Sequence, residues 1–193
     1  MVNLARTTTA EDILALQVES ERIIAAIDLG TNSVHMVIVR LEPQIPSFSI
    51  IGKEKETVRL GDRDIETGNL KLKIMERTVN ALRRFQEIAK TFNAEAIIAV
   101  ATSAVREAPN GREFLYRIKN ELNLDVDLIS GQEEARRIYL GVLSGMEFNN
   151  QPHTIIDIGG GSTEIILGDS DDERCLSSTK VGAVRLTSEL ITT

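Results

Sequence analysis

The sequence of 193 residues has no tryptophan, one cysteine, two histidines and four prolines, and aromatic residues amount to 4%. So few aromatics leave nothing from which to build a base-stacking platform for single-stranded nucleic acid. The single thiol, Cys175, excludes an internal disulfide and a cysteine-cluster metal site. No apolar run approaches the ~18 residues that a membrane span requires. The opening segment, MVNLARTTTAEDILALQVESER, carries acids where a secretory signal has its apolar stretch. These absences lead to the expectation of a cytoplasmic protein with no membrane partner. Basic residues are the minority, 22 against 29 acidic, for a net charge of −7. That sign argues against a nucleic-acid partner or an anionic lipid surface. It leaves room for an anionic small ligand, because a pocket answers to local charge.

The remaining composition, 42% apolar and 26% charged, is ordinary for a globular chain and excludes disorder, collagen and coiled coil. The length allows one large domain or two small ones. Residues 1–22 are polar and weakly patterned and read as a flexible arm. From Ile23, IIAAIDL and VHMVIVR form two β-rich runs joined by GTNS, a predicted hairpin. Pro43 and Pro46 mark a loop, and FSIIGKEKETVRL supplies a third strand. Over residues 70–92, Met75, Val79, Leu82, Phe85, Ala89 and Phe92 fall on one helical stripe, which is core packing. AEAIIAVAT is a buried strand, Asn110 is placed to cap a helix through REFLYRIKNEL, and VDLIS is a short strand. Ser130 is placed to cap GQEEARRIYLGVLSGM. His153 to Gly168 gives a second hairpin with Asp169 to Glu173 as a solvated tip, followed by one more strand and a helix start. Three hairpin-linked strands followed by alternating strands and helices predict an α/β mixed sheet flanked by helices. Then the pattern restarts.

The restart is an internal repeat. Ile27-Asp28-Leu29-Gly30-Thr31-Asn32-Ser33 superimposes on Ile156-Asp157-Ile158-Gly159-Gly160-Gly161-Ser162 at an offset of 129 residues. Each copy is a buried strand that delivers an Asp, a turn of small residues, and a returning strand. Small residues let the backbone approach an oxyanion, and successive N–H groups in a tight turn form an anion nest. Thr31, Ser33, Ser162 and Thr163 add hydroxyl donors. The aspartates Asp28 and Asp157 cannot bind phosphate themselves, but they can hold a hard cation that does, typically Mg²⁺. Two such turns facing each other would clamp a phosphate chain. A plain hairpin turn explains either copy alone, but not the pair.

AAIDLGTNSVHMVIVR, ATSAVREAPNG, LISGQEEARRIYLGV and IIDIGGGSTEIILGD, in this order and spacing, resemble the exopolyphosphatase/guanosine pentaphosphate phosphohydrolase (Ppx/GppA) family of the actin/hexokinase/Hsp70 ATPase superfamily. The resemblance runs from about Ile23 to the end. It implies an actin-like (ribonuclease H-like) fold with a cleft between two lobes. The implied activity is Mg²⁺-dependent release of terminal phosphate from polyphosphate or guanosine pentaphosphate. Only 37 residues run from Asp157 to the last residue, too few for a second lobe. The expectation is therefore a first lobe over 23–150 and the opening strands of a truncated second lobe over 151–193. The family is often dimeric through C-terminal regions, so a homodimer is implied for the full-length protein, and the state of this chain is open.

Phosphoanhydride hydrolysis needs charge neutralisation, an aligned water and a base. Asp28 and Asp157 are assigned to Mg²⁺. Gly30, Thr31, Asn32 and Ser33 form one phosphate loop, and Gly159, Gly160, Gly161, Ser162 and Thr163 the other. Glu133 and Glu134 are adjacent candidates for the base. Ser130 to Glu133 has capping-box spacing, which would turn Glu133 back toward Ser130, whereas Glu134 lies about 100° further round the helix and is free to face the cleft. The family motif also places its catalytic glutamate at Glu134. Glu164, directly after the second loop, would order the attacking or a metal-bound water, or else face solvent. Arg106 follows a buried strand, where a guanidinium suits a phosphate. Arg59 and Arg185 are weaker candidates of the same kind, and Gly182 either lets amides approach the ligand or makes a simple turn. His35 reads as a plain strand residue and Cys175 as inert. An actin-like ATP-using kinase and a non-catalytic phosphate-binding module remain as alternative functions.

Overall fold

A computed structural model describes residues 21–42 and 47–191. The expected arm, up to residue 20, and the loop prolines Pro43 and Pro46 lie outside the described residues. Strands β1 (Arg22–Leu29), β2 (Ser33–Glu42) and β3 (Ser47–Thr57) form an antiparallel meander. Strands β4 (Ala96–Ala101) and β5 (Val126–Leu128) add to it in parallel, giving one sheet in the order β3-β2-β1-β4-β5. Parallel neighbours need crossovers, and helices supply them. Helix α1 (Leu72–Thr91) leads into β4. The short α2 (Ser103–Arg106) and α3 (Gly111–Leu122) lead from β4 into β5. This is the α/β mixed, helix-flanked sheet expected from the sequence.

Alternation decides what each face of the sheet does. Ala25, Ile27 and Leu29 of β1, with Val34, Met36 and Ile38 of β2, point to one face and are buried there with α1 and α3. The α1 stripe holds as read: Val79, Leu82, Phe85 and Ala89 are buried, while Met75 and Phe92 are half-buried at its ends. Phe85 is completely buried, and its truncation to Ala would cost about 3–5 kcal/mol. Asp28 lies between Ile27 and Leu29 and so points to the opposite face.

Strands β6 (His153–Ile158), β7 (Thr163–Gly168) and β8 (Glu173–Thr179) form a second, antiparallel sheet. Helix α4 (Gly131–Leu143) packs on it, with Ala135 and Tyr139 against Ile166 and Phe148. The boundary expected at 150 therefore runs differently from the packing: α4, read as part of the first lobe, shares its core with the second sheet. Its apolar residues match a long-range partner that no local pattern reveals. Helix α5 (Ala183–Leu190) follows β8.

Three local expectations need correction. Asn110 precedes α3 but makes no capping bond; its side chain accepts from Leu70 N (2.8 Å) and donates to Leu70 O (3.1 Å), tying two loops together. Ser130 does cap α4, accepting from Glu133 N at 3.1 Å, but Glu133 does not complete the box. Its carboxylate is taken by Arg136 and Arg137, which hold it down to about 2. Asp169, expected in a solvated tip, is buried and accepts from the amides of Asp171 and Asp172. Among the described residues no helix is long and apolar enough to cross a membrane.

Candidate active site

The repeat seen in sequence is a repeat in geometry. Gly30 N donates to Ser33 O at 3.1 Å in the β1–β2 turn, and Gly159 N donates to Ser162 O at 2.9 Å in the β6–β7 turn. The two turns press against each other. Thr31 Oγ1 and Ser103 Oγ are 2.9 Å apart. A Cβ on Gly161 would lie 2.5 Å from Ser103 Oγ and 2.8 Å from Thr31 Oγ1, so glycine is required there by the contact between turns as well as by any ligand. Gly182 serves the same closeness from behind: a Cβ would sit 2.5 Å from the Gly160 carbonyl.

Gly30 to Ser33 on one side, and Gly159, Gly160 and Ser162 on the other, line a cavity of about 320 Å³. Asp28, Asp157, Glu134 and Glu164 complete its wall. Gly161 and Thr163 stand just outside the lining, and the Thr163 hydroxyl donates to Val181 O. A second hollow of about 360 Å³ lies beyond the Thr31–Gly161 contact, where Arg63 and Arg185 sit among Asp62, Asp64 and Glu189. Its three acids make it the poorer place for a polyanion.

Strand register explains which side chains reach the cavity. Across the first sheet Asp28, His35 and Lys55 are successive partners on β1, β2 and β3. Across the second sheet Asp157, Glu164 and Ser178 are partners on β6, β7 and β8. The 129-residue offset that relates Asp28 to Asp157 also relates His35 to Glu164. His35 is thus a cleft residue, where a strand residue without function was expected, and Lys55, not considered at all, brings a cation to the wall. The repeat offset carried two residues past Ser33 points to His35, whereas Lys55 is placed only by the β2–β3 register.

Two of the cleft carboxylates, Asp28 and Glu134, are raised above their ordinary range. Enclosure by the cleft walls, then the charge of Asp157, pushes Asp28 up to about 6, although its side chain still meets solvent at the cleft mouth. Glu134, on the first turn of α4, has a side chain only 17% exposed. Burial is the main cause that raises it to about 7, and the charge of Glu164 adds to this against the Arg106 guanidinium. Arg106 is not on the cavity wall. Its Nη1 donates to Glu134 Oε2 (3.1 Å) and to Ile129 O (2.9 Å), so it fixes the glutamate. Glu164 is 1% exposed and accepts from Ser178 Oγ at 2.7 Å, so it does not face solvent. Partial enclosure, then the charge of Lys55, lowers the His35 pKa and favours the neutral imidazole. Arg59 is exposed and away from the lining, and Arg185 is bound elsewhere.

Among the described residues no three His, Cys, Asp or Glu side chains converge to hold a metal ion by themselves. Asp28 and Asp157 do share the cavity, and the charge of Asp157 helps to raise Asp28. Two carboxylates completed by waters and phosphate oxygens are a donor set that suits Mg²⁺.

The model of the Ppx/GppA phosphatase family matches residues 37–193. The chain belongs to this family. It is 39% identical over 160 residues to a guanosine-5′-triphosphate,3′-diphosphate pyrophosphatase of Photobacterium profundum, covering 83% of the chain and 32% of that protein. The crystal structure of an exopolyphosphatase from Cytophaga hutchinsonii superposes with a TM-score of 0.82 at 32% identity, over 88% of this chain and 54% of that one. The Aquifex aeolicus Ppx/GppA family member superposes with a TM-score of 0.76 at 32% identity, over 90% and 56%. The chain therefore spans about a third of that curated relative and just over half of each solved structure. Within the family match lie β3, the three crossover helices, α4, the second turn and α5, while β1 and the first turn precede it.

Proposed function

We propose that the cleft releases the terminal phosphate of a phosphoanhydride, in inorganic polyphosphate or in guanosine pentaphosphate. The observation that carries this reading is Glu134: a half-buried carboxyl with a pKa near 7, held by Arg106, on the wall of a cavity made from two small-residue turns. A group with that pKa is half-deprotonated at neutral pH and suits general-base work. The amides of the two turns, with Lys55, hold the terminal phosphoryl group. Glu134 takes a proton from a water aimed at the terminal phosphorus. The water oxygen bonds to phosphorus, the bridging P–O bond breaks, and its electron pair leaves with the shortened chain. Glu164, fixed by Ser178, orients that water from the other side. Mg²⁺ at Asp28 and Asp157 would supply neutralisation of the phosphate charge.

The two relatives' names support both substrates equally, and the reacting group is the same in each. The cytoplasmic setting and a homodimer of the full-length protein belong to this proposal as well. The kinase and binding-module readings have no observation of their own in their favour. The test is phosphate release from long-chain polyphosphate and from guanosine pentaphosphate, with Mg²⁺ and with EDTA. Mg²⁺-dependent release from at least one is expected. Absence of release from both, in this chain and in one extended to the relatives' length, would overturn the reading.

A further inference from the structure

A nest for phosphate needs its N–H groups turned inward, and therefore its carbonyl groups turned outward. In the second turn three consecutive carbonyl oxygens are taken from outside. Ala183 N donates to Gly159 O (2.9 Å), and the amides of Val184 and Arg185 donate to Gly160 O (2.9 and 3.1 Å). Arg185 Nε donates to Gly161 O (3.1 Å). In a planar trans peptide the C=O of one residue and the N–H of the next point in opposite directions. The N–H groups of Gly160, Gly161 and Ser162 are thereby directed away from α5, toward the cavity that Gly160 and Ser162 line. The first two peptides are set by backbone donors, and the third by a side chain.

That side chain is itself held. Arg185 Nη2 pairs with Glu107, whose side chain is 12% exposed, and Arg63 Nη2 lies 3.9 Å from the same carboxylate. Arg63 also donates to Ser103 O (3.3 Å) and Ala104 O (3.0 Å), and the Ser103 hydroxyl touches Thr31 of the first turn. A continuous path thus runs from the second turn through Arg185, Glu107 and Arg63 to the first turn. The first turn needs no such side chain: Gly61 N donates to Thr31 O (2.8 Å), and the amides of Val58 and Arg59 to Asn32 O (3.1 and 2.8 Å).

We propose that Arg185, clamped by Glu107 and Arg63, is a positioning residue that turns the Gly161–Ser162 peptide so that the Ser162 amide faces the phosphate. The phosphate in this statement rests on the proposed function, whereas the peptide orientation does not. Arg185 acts from outside the cavity, which it does not line, with its Nε and Nη2 on Gly161 O and Glu107.

The test is backbone NMR of the chain and of Arg185→Gln, free and titrated with inorganic pyrophosphate. In the free protein, Arg185→Gln is expected to move the Gly161 carbonyl carbon and the Ser162 amide while the Gly159 and Gly160 carbonyls and the α1 amides stay in place. Unmoved Gly161 and Ser162 signals would overturn the clamp. With pyrophosphate, the wild type is expected to shift the amides of Gly160, Gly161 and Ser162. The variant loses the Ser162 response alone and binds about tenfold more weakly, the worth of one charge-assisted bond. An intact Ser162 response in the variant would also overturn it. Silence of both turns in the wild type would overturn phosphate binding and leave the clamp to be judged on the free spectra. Arg185→Lys is expected to behave like Arg185→Gln, because an ammonium lacks the fork that reaches Glu107 and Gly161 O together. If Arg185→Gln does not fold, Glu107→Gln, which leaves Arg185 in place but without its charged partner, gives the same readout at reduced size.

Discussion

Glu134 is the residue on which structure and chemistry meet. Its carboxyl is raised from 4.5 to about 7 in the folded protein, so folding favours its protonated form. The stability that this group contributes is fully present below about 4.5 and is lost as pH rises through about 7. Glu134→Gln keeps a hydrogen-bond acceptor for Arg106 and removes the buried charge. Urea unfolding at pH 8 is expected to show the variant more stable by about 1–3 kcal/mol, with the gap closing toward pH 5. A variant less stable at pH 8 would mean that the Arg106 pair outweighs burial. The base must be deprotonated to act, so kcat/KM of the wild type is expected to rise with pH through about 7. A profile flat across that range would remove Glu134 as the base. Lys55 is exposed and stands outside the hydrophobic core of the described residues. Lys55→Ala is expected to raise KM about tenfold, the scale of one charged hydrogen bond, with unchanged unfolding. An unchanged KM would show that the cation faces solvent during the reaction.

At the scale of elements, the site is two strand–turn–strand units pressed together through glycine. Gly161→Ala places a methyl 2.5 Å from Ser103 Oγ. It should force the turns apart at a cost of about 1–3 kcal/mol, weaken pyrophosphate binding and leave far-UV circular dichroism unchanged. Binding as tight as wild type would show that the turns act separately. These turns were legible in sequence because they are local: a few residues fix each one, and the offset of 129 pairs them. The α1 stripe was legible for the same reason. Asn110 and Glu133 were misread because local spacing names a cap but not its competitors. Leu70 lies 40 residues from Asn110, and Arg136 and Arg137 follow Glu133 on its own helix. The places of His35 and Lys55 depend on strand register, and that of α4 on packing against a distant sheet. Such long-range pairings leave no mark in any short window.

At the scale of the molecule, each sheet supplies one wall and neither holds a complete set of groups. The first gives Asp28, His35, Lys55 and one turn; the second gives Asp157, Glu164 and the other turn; α4 carries Glu134 between them. Helix α4 packs on the second sheet while Arg106, from the first, holds its glutamate, so the Glu134 carboxyl reports on how the two halves sit. The most direct measurement is phosphate release from polyphosphate by wild type and by Glu134→Gln, with polyphosphate binding measured on both. Release at least about 100-fold slower in the variant, with binding retained, is what a general base at this position predicts. Equal release rates would contradict it and would leave the two turns as a phosphate-binding cradle whose chemistry lies with another residue.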